Sequence, residues 1–198
     1  MSTNATVTAV FRPCEKKLAR FYDIALIVGG SFFIAFSAQL AVWLPFSPVP
    51  VTGQTFAVLM VGALLGSRRG FFSVLLYLIE GSAGMPVFAT ARAGLPVLLG
   101  PTGGYLVGFL AAAYLTGLLA EKKWDRRVTS TILAMLLGNA CIYAFGMLWL
   151  SCLMGIGKSV LAVGLYPFIV GDIAKITLAA VLLPSGWKLL DKSNLTKK

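Results

Sequence analysis

Six apolar stretches, at about 24–44, 53–66, 70–83, 103–120, 131–154 and 160–183, account for most of this 198-residue chain. In the hydrocarbon interior of a bilayer a segment must satisfy its own backbone hydrogen bonds, and a helix does so. An ordinary soluble domain carries about a quarter of its residues as charge. Here the charged share is 12% and the mean hydropathy is +0.87. The expectation is therefore an all-α integral membrane protein. It is a single domain over 1–198, with six transmembrane helices and short polar tails at 1–20 and 185–198. The segments at 53–66 and 70–83 are short for a crossing that takes about 20 residues. Met1 to Asp23 is polar and basic, and the first apolar run has spanning length rather than that of a signal-peptide core.

The net charge of +10 would suit a nucleic-acid partner if the basic residues clustered on one soluble face, but they do not. They fall in the N-terminal tail (Arg12, Lys16, Lys17, Arg20), the 68–69 turn, the EKKWDRR loop at 121–127, and the C-terminal tail. These stretches alternate onto one side of a six-span chain and hold fourteen of the seventeen basic residues. The other side keeps Arg92 and Lys158. Such a bias is the positive-inside pattern, which puts both termini in the cytoplasm of a multi-pass cell-membrane protein. No nucleic-acid partner is expected; the solvent is lipid.

Enzyme chemistry finds little purchase. The chain has no histidine, so a Ser or Cys nucleophile lacks its usual base and His metal sites are excluded. Cys14, Cys141 and Cys152 form no C-x-x-C pair, and Cys141 and Cys152 read as small apolar packing residues. Residues 155–159, GIGKS, end like a phosphate-binding loop. A Walker motif needs glycine at position 152, which is Cys152, and a preceding strand. The match is a decoy. A weak echo between 52–66 and 102–117 is insufficient for a repeat.

Two connecting segments break the pattern. PFSPVPVTGQT at 45–55 contains three prolines and no charge, which bars regular helix and favours extended backbone. The 81–105 segment is rich in glycine and proline, with apolar patches and a single cation, Arg92. Plain connectors are short and polar. Irregular backbone near a membrane is tolerated where protein buries it or it lines a cavity. Residues 84–101 are therefore expected to close as a lid over a bound molecule. Glu80 is expected to cap a helix or pair with Arg92 or a loop amide.

The last apolar stretch contains GDIAK at 171–175. Asp172 and Lys175 are three residues apart and share a helix face. Ionisable groups at bilayer depth cost about 2.5–3.5 kcal/mol each on insertion scales, so they pair or serve a ligand. Both roles fit this pair. Tyr143, Trp149 and Tyr166 lie in or near the later spans. They fit either an interfacial belt or stacking against a flat heterocycle.

Four motifs in order, PVPVTGQTFAVLMVGALLG (48–66), GMPVFA (84–89), GPTGGYLVGF (100–109) and GDIAK, resemble the BioY family. Its members are biotin-specific S components of energy-coupling-factor transporters. The resemblance covers about 160 residues. It implies an S-component-like bundle of six helices that takes biotin from outside, a binding subunit and not an enzyme. It also implies partnership with one transmembrane coupling protein and two ATPases, with no prosthetic group. On it, Asp172 and Lys175 match the family's polar ligand pair. Arg92 falls where members place a ligand contact, though relatives with asparagine there leave its contact open. Gln54, Phe88, Tyr143 and Tyr166 complete the candidate ligand set. Lys175 and Arg92 both remain open as partner of the biotin carboxylate. Small residues at Ser31-x-x-x-Ala35 and Ser37-x-x-x-Ala41 allow close helix approach, either within the chain or to the coupling protein. A carrier for another vitamin and a six-span membrane enzyme are the competing readings.

Overall fold

A computed structural model describes residues 6–155 and 158–193. After a short helix α1 (Val7–Val10) come α2 (Lys16–Gln39), the strand pair β1 (Ala41–Val42) and β2 (Val51–Thr52), α3 (Gln54–Leu65) and α4 (Ser67–Ser82). Then follow α5 (Leu95–Leu99), α6 (Gly103–Glu121), α7 (Val128–Met154), α8 (Lys158–Gly164) and α9 (Tyr166–Lys192). By length and apolar composition, four of these helical runs can cross a membrane: Lys16–Gln39, Gly103–Glu121, Val128–Met154 and Val160–Lys192.

The stretches expected at 53–66 and 70–83 form α3 and α4, of 12 and 16 residues, both shorter than these four, and packing accounts for the first. Helix α3 has 12 residues, about 18 Å of rise, and nine of them are buried. It lies at the centre of the bundle. Its small residues let neighbours approach closely: a Cβ on Gly62 would come within 2.5 Å of the Ala113 carbonyl oxygen and closer to the Thr116 hydroxyl. Helix α4 starts directly after α3 because Gly66 takes φ +89°, a left-handed conformation that glycine adopts at little cost. The Glu121 carboxylate then accepts hydrogen bonds from the Ser67 amide and hydroxyl, both at 2.8 Å, satisfying a donor at the start of α4.

Further contacts gather both terminal segments at this same end of the bundle. The Thr8 hydroxyl donates to the Leu64 carbonyl at 2.9 Å, and Asp23 accepts Arg12 and Arg69. The Trp187 indole donates to Asp125 in the α6–α7 connection, and the Arg126 guanidinium stacks 4.1 Å above the Trp187 ring. Burial pushes the Asp125 carboxyl above its ordinary range, against the opposing effect of the Trp187 hydrogen bond.

Several sequence expectations change here. The 160–183 stretch is two helices, α8 and α9, divided at Leu165, with Pro167 in the first turn of α9 where its missing N–H is tolerated. The 45–55 segment is tied down by a short antiparallel strand pair, Ala41 opposite Thr52 and Val42 opposite Val51, and α3 begins at Gln54. The 84–101 segment is partly helical. It makes a tight turn at Ala89–Ala91, with Thr90 and Ala91 in left-handed conformation, and then forms α5. Glu80 does not meet Arg92: its carboxylate accepts the Ser31 hydroxyl at 2.5 Å. Ser31 and Ala35 are buried inside the chain, so this part of the small-residue stripe packs internally. The exposed positions of α2 are bulky instead, with Phe32, Phe33 and Phe36 among them. Cys141 packs on the core while Cys14 and Cys152 are exposed. Residues 156–157 of the phosphate-loop decoy lie outside the described residues.

Candidate functional site

At the end of the bundle opposite the chain termini, the helices diverge around a narrow cleft of about 50 Å³ whose mostly apolar lining with a few polar groups is of the kind small-molecule sites use. Its walls are mostly apolar and aromatic. Phe109 and Tyr105 come from α6, Ile142 and Tyr143 from α7, Phe168 from α9, and Val97 from α5. The rings of Tyr105, Tyr143 and Phe168 sit 6.3–6.5 Å apart, centroid to centroid, and form one continuous aromatic wall. The Tyr105 hydroxyl donates to the Gly164 carbonyl at 2.8 Å, which fixes that ring against the α8–α9 break.

The floor is polar. Asp172 is 5% exposed and its two oxygens collect three donors. The Tyr143 hydroxyl donates to Oδ2. Lys175 Nζ lies 3.2 Å from Oδ1, and the Thr55 hydroxyl is 3.5 Å from the same atom. Lys175 also donates to Thr55 Oγ1 at 2.9 Å, so the three side chains form a closed ring. The helical spacing of Phe168, Asp172 and Lys175 (i, i+4, i+7) puts them on one face of α9. An ion pair at this depth survives because each charge is hydrogen-bonded as well as paired. The polar floor couples α3, α7 and α9.

Gln54 forms a second polar point. Its amide nitrogen donates to the buried Tyr77 hydroxyl, and its Oε1 accepts from Thr52 at 3.0 Å, so it is held at the cleft margin by both ends. The Tyr77 ring meets Phe88 edge to face at 5.5 Å. Phe88 is 1% exposed because its ring lies directly on Gly81, where any Cβ would collide with it.

The rim is built from the two irregular segments. Trp43, Val49 and Pro50 come from the hairpin, and Ala89 and Arg92 from the glycine-rich connection. The Arg92 guanidinium lies 5.9 Å from the Trp43 ring centroid, joining the two across the opening. Thr90 and Ala91 both adopt φ 57°, an uncommon conformation for residues with a Cβ. Gln39, the last residue of α2, supports it. Its Oε1 accepts the Ala91 amide at 2.9 Å and its Nε2 donates to the Val87 and Phe88 carbonyls.

Of the residues singled out from the sequence, Gln54, Phe88, Arg92, Tyr143 and Lys175 line the cleft, and Asp172 anchors its floor. Tyr166 does not join them. Two positions before Phe168 it points about 200° away around α9, and it is 58% exposed. Trp149 also stays outside, donating its indole N–H to the Gly100 carbonyl at 2.9 Å. Sequence reasoning missed Thr55, Tyr105, Phe168 and Trp43. Phe168 was within reach through its i, i+4 relation to Asp172. Trp43 had no local signal. Among the described residues, no group of three Asp, Glu, Cys or His side chains is placed to hold a metal.

A multi-pass helical membrane protein with an aromatic cleft over a buried polar floor has the makings of a small-molecule transport component. The chain belongs to the BioY family, whose model matches residues 12–192. It is 39% identical over 160 residues to a probable biotin transporter BioY of Pyrococcus horikoshii, covering 81% of this chain and 93% of that one. The biotin transporter BioY of Rhizobium etli is 38% identical over 146 residues, with 70% and 78% covered. The fold resembles the crystal structure of the S-component for biotin from an ECF-type ABC transporter. There the TM-score is 0.78 and the identity 28%, over 88% of this chain and 95% of that one. The family is one of transporter components, not enzymes.

Proposed function

We propose that this chain is the biotin-capturing membrane subunit of an energy-coupling-factor transporter. What carries the reading is the pairing of an apolar, aromatic-walled cleft with a compact floor that offers both a carboxylate and a cation. Biotin has a ureido group with two N–H donors and one oxygen, an apolar sulfur-containing bicycle and a carboxylate tail. Asp172 accepts ureido N–H bonds at the floor, and Lys175 beside it meets the ureido oxygen. Tyr105, Tyr143 and Phe168 enclose the bicycle. With the ureido end at the floor, the tail rises to the rim, where Arg92 meets the carboxylate. Gln54 and Phe88 shape the margin.

In this reading α2, α3, α4, α6, α7 and α9 are the six membrane helices, short α3 being sheltered by its neighbours. Both termini and the 121–127 loop face the cytoplasm, and the cleft faces outward across the cell membrane. The protein forms a single domain over 1–198. It needs no prosthetic group, and a transmembrane coupling protein with two ATPases supplies the energy.

Calorimetry on the purified chain without ATP tests the ligand. Saturable biotin heat is expected; no biotin heat alongside binding of another vitamin would replace biotin by that vitamin. Pull-down of the coupling protein and ATPases from native membranes tests the assembly. Reporter fusions that place the 121–127 loop outside would overturn the orientation.

A further inference from the structure

A roomier concavity than the cleft, about 710 Å³, opens on the outside of the bundle between α4, α6 and α7, with Arg68 as the one charged residue in its lining. On α4, Arg68, Phe71 and Phe72 are spaced i, i+3 and i+4 and share one face. Opposite them, Val107, Ala111 and Tyr114 of α6 follow at i, i+4 and i+7, and Phe145 of α7 closes the far side. The Phe71 ring meets Phe72 edge to face at 5.7 Å and Tyr114 at 6.4 Å, which sets the wall on the α4 side. Phe72, Val107, Tyr114 and Phe145 are each 44–50% exposed, so the groove lies open to the surrounding lipid.

The length and the charge of the groove define what fits it. Helix α4 starts where α6 ends, since the Ser67 amide donates to Glu121, so Arg68 marks that end of the groove. Val107 lies fourteen residues before Glu121, about 21 Å of helical rise. One leaflet with its headgroups is about 20–22 Å thick. The groove therefore runs from headgroup level to the bilayer midplane, the depth of one lipid and not of a crossing helix. Its walls are bulky and aromatic, whereas helices associate in lipid through small residues that let backbones approach. At the headgroup end Arg68 makes no ion pair or hydrogen bond among the described residues, although its neighbour Arg69 is held by Asp23 and Thr8. A side chain in the first turn of α4 leans back toward the helix N-terminus, which carries the guanidinium toward the headgroups.

We propose that this groove binds one anionic glycerophospholipid, with an acyl chain along Phe71, Ala111 and Phe145 and the headgroup phosphate on the Arg68 guanidinium. Ala111, the small residue of the α6 face, leaves the depth that the chain occupies. In the orientation proposed above this is a lipid of the cytoplasmic leaflet, whose anionic lipids attract basic residues. The leaflet rests on that orientation and the site does not: reporter fusions that reversed the topology would move the same site to the other leaflet. Biotin plays no part in it.

Native mass spectrometry of the purified full chain, titrated in detergent with phosphatidylglycerol or phosphatidylcholine, tests the site. One phosphatidylglycerol per chain is expected to be retained at about fivefold lower concentration than phosphatidylcholine, which carries its own ammonium; fivefold is about the worth of one basic residue at an anionic surface. Arg68→Gln should abolish that preference. Lys122→Gln removes an exposed charge at the same end of the bundle but outside the groove, and should keep the preference within about twofold of wild type. Ala111→Leu fills the groove and should weaken both lipids by about tenfold, with the melting temperature of the lipid-free protein unchanged. In nanodiscs, a phosphatidylglycerol with a diazirine on one acyl chain should cross-link to the 107–114 face of α6 and to Phe145. Equal losses in Arg68→Gln and Lys122→Gln, or cross-links spread evenly over the exposed faces of the bundle, would mean general lipid contact and overturn the proposal. Failure to retain phosphatidylglycerol, or wild-type binding of both lipids by Ala111→Leu, overturns it as well.

Discussion

Replacing Asp172 by asparagine changes the floor of the cleft without changing its shape, so it separates the chemistry of the site from its packing. The carboxylate accepts Tyr143 on one oxygen and Lys175 with Thr55 on the other. An amide keeps only one acceptor edge and turns a donor toward whichever partner it abandons. With the amide oxygen left on Lys175 and Thr55, the Tyr143 hydroxyl must rotate to accept, and Lys175 has lost its counter-charge. Breaking a buried pair costs about 3–5 kcal/mol. The Lys175 side chain is 20% exposed toward the cleft, so about 2–3 kcal/mol is the fitting magnitude for the ligand-free protein. For biotin the loss is at least one charge-assisted hydrogen bond, about 1.5–3 kcal/mol, or roughly tenfold to 150-fold in Kd. The assay is calorimetry on purified Asp172→Asn in nanodiscs, with melting of the ligand-free protein followed in parallel. A folded variant that binds biotin within threefold of wild type would refute the assignment of Asp172 to the ligand and return the pair to a structural role.

In the double variant Asp172→Asn/Lys175→Met the orphaned charge is gone, so ligand-free stability should recover most of the loss while biotin affinity should not; melting and calorimetry read the two separately. Gly62→Val forces a side chain into the α3–α6 contact and should cost about 1–3 kcal/mol, read as a lower melting temperature with the cleft residues untouched. Gln39→Ala removes three hydrogen bonds from the strained turn at the rim, and amide exchange at 88–92 should rise; unchanged exchange would mean that Thr90 and Ala91 hold φ 57° without help. In the wild-type chain, added biotin should strongly protect 88–95 from exchange if the 84–101 segment closes as a lid, whereas equal exchange would make it a fixed plug. Asp125, at the terminal end, has its folded-state carboxyl raised by burial, so folding favours the protonated form. Its stabilising contribution is full below the unfolded value of about 3.9 and is lost as pH rises through the raised folded value. Asp125→Asn, which keeps an acceptor for Trp187, should flatten that part of the melting-temperature profile, and an unchanged slope would clear Asp125 of the effect.

The sequence alone determined the solvent, the helical class and the charged pair of the site. Apolar runs of spanning length and a carboxylate–ammonium pair at i, i+3 are local facts, readable because a bilayer imposes one rule on every residue within it. The same helical period puts Phe168 on the face of Asp172 and Tyr166 off it, yet the sequence reading took Tyr166 and missed Phe168. Tertiary structure decided what local pattern could not. Thr55 meets Lys175 and Tyr143 meets Asp172 only because α3, α7 and α9 converge, and positions 55 and 175 are 120 residues apart. Gln39 supports the turn at 87–91 across about fifty residues. The Ser31–Ala35 stripe could have served a partner or the chain itself, and its burial inside the bundle shows that it packs internally. Periodicity reports which face of a helix is apolar; which neighbour meets that face depends on how all the helices share the available space.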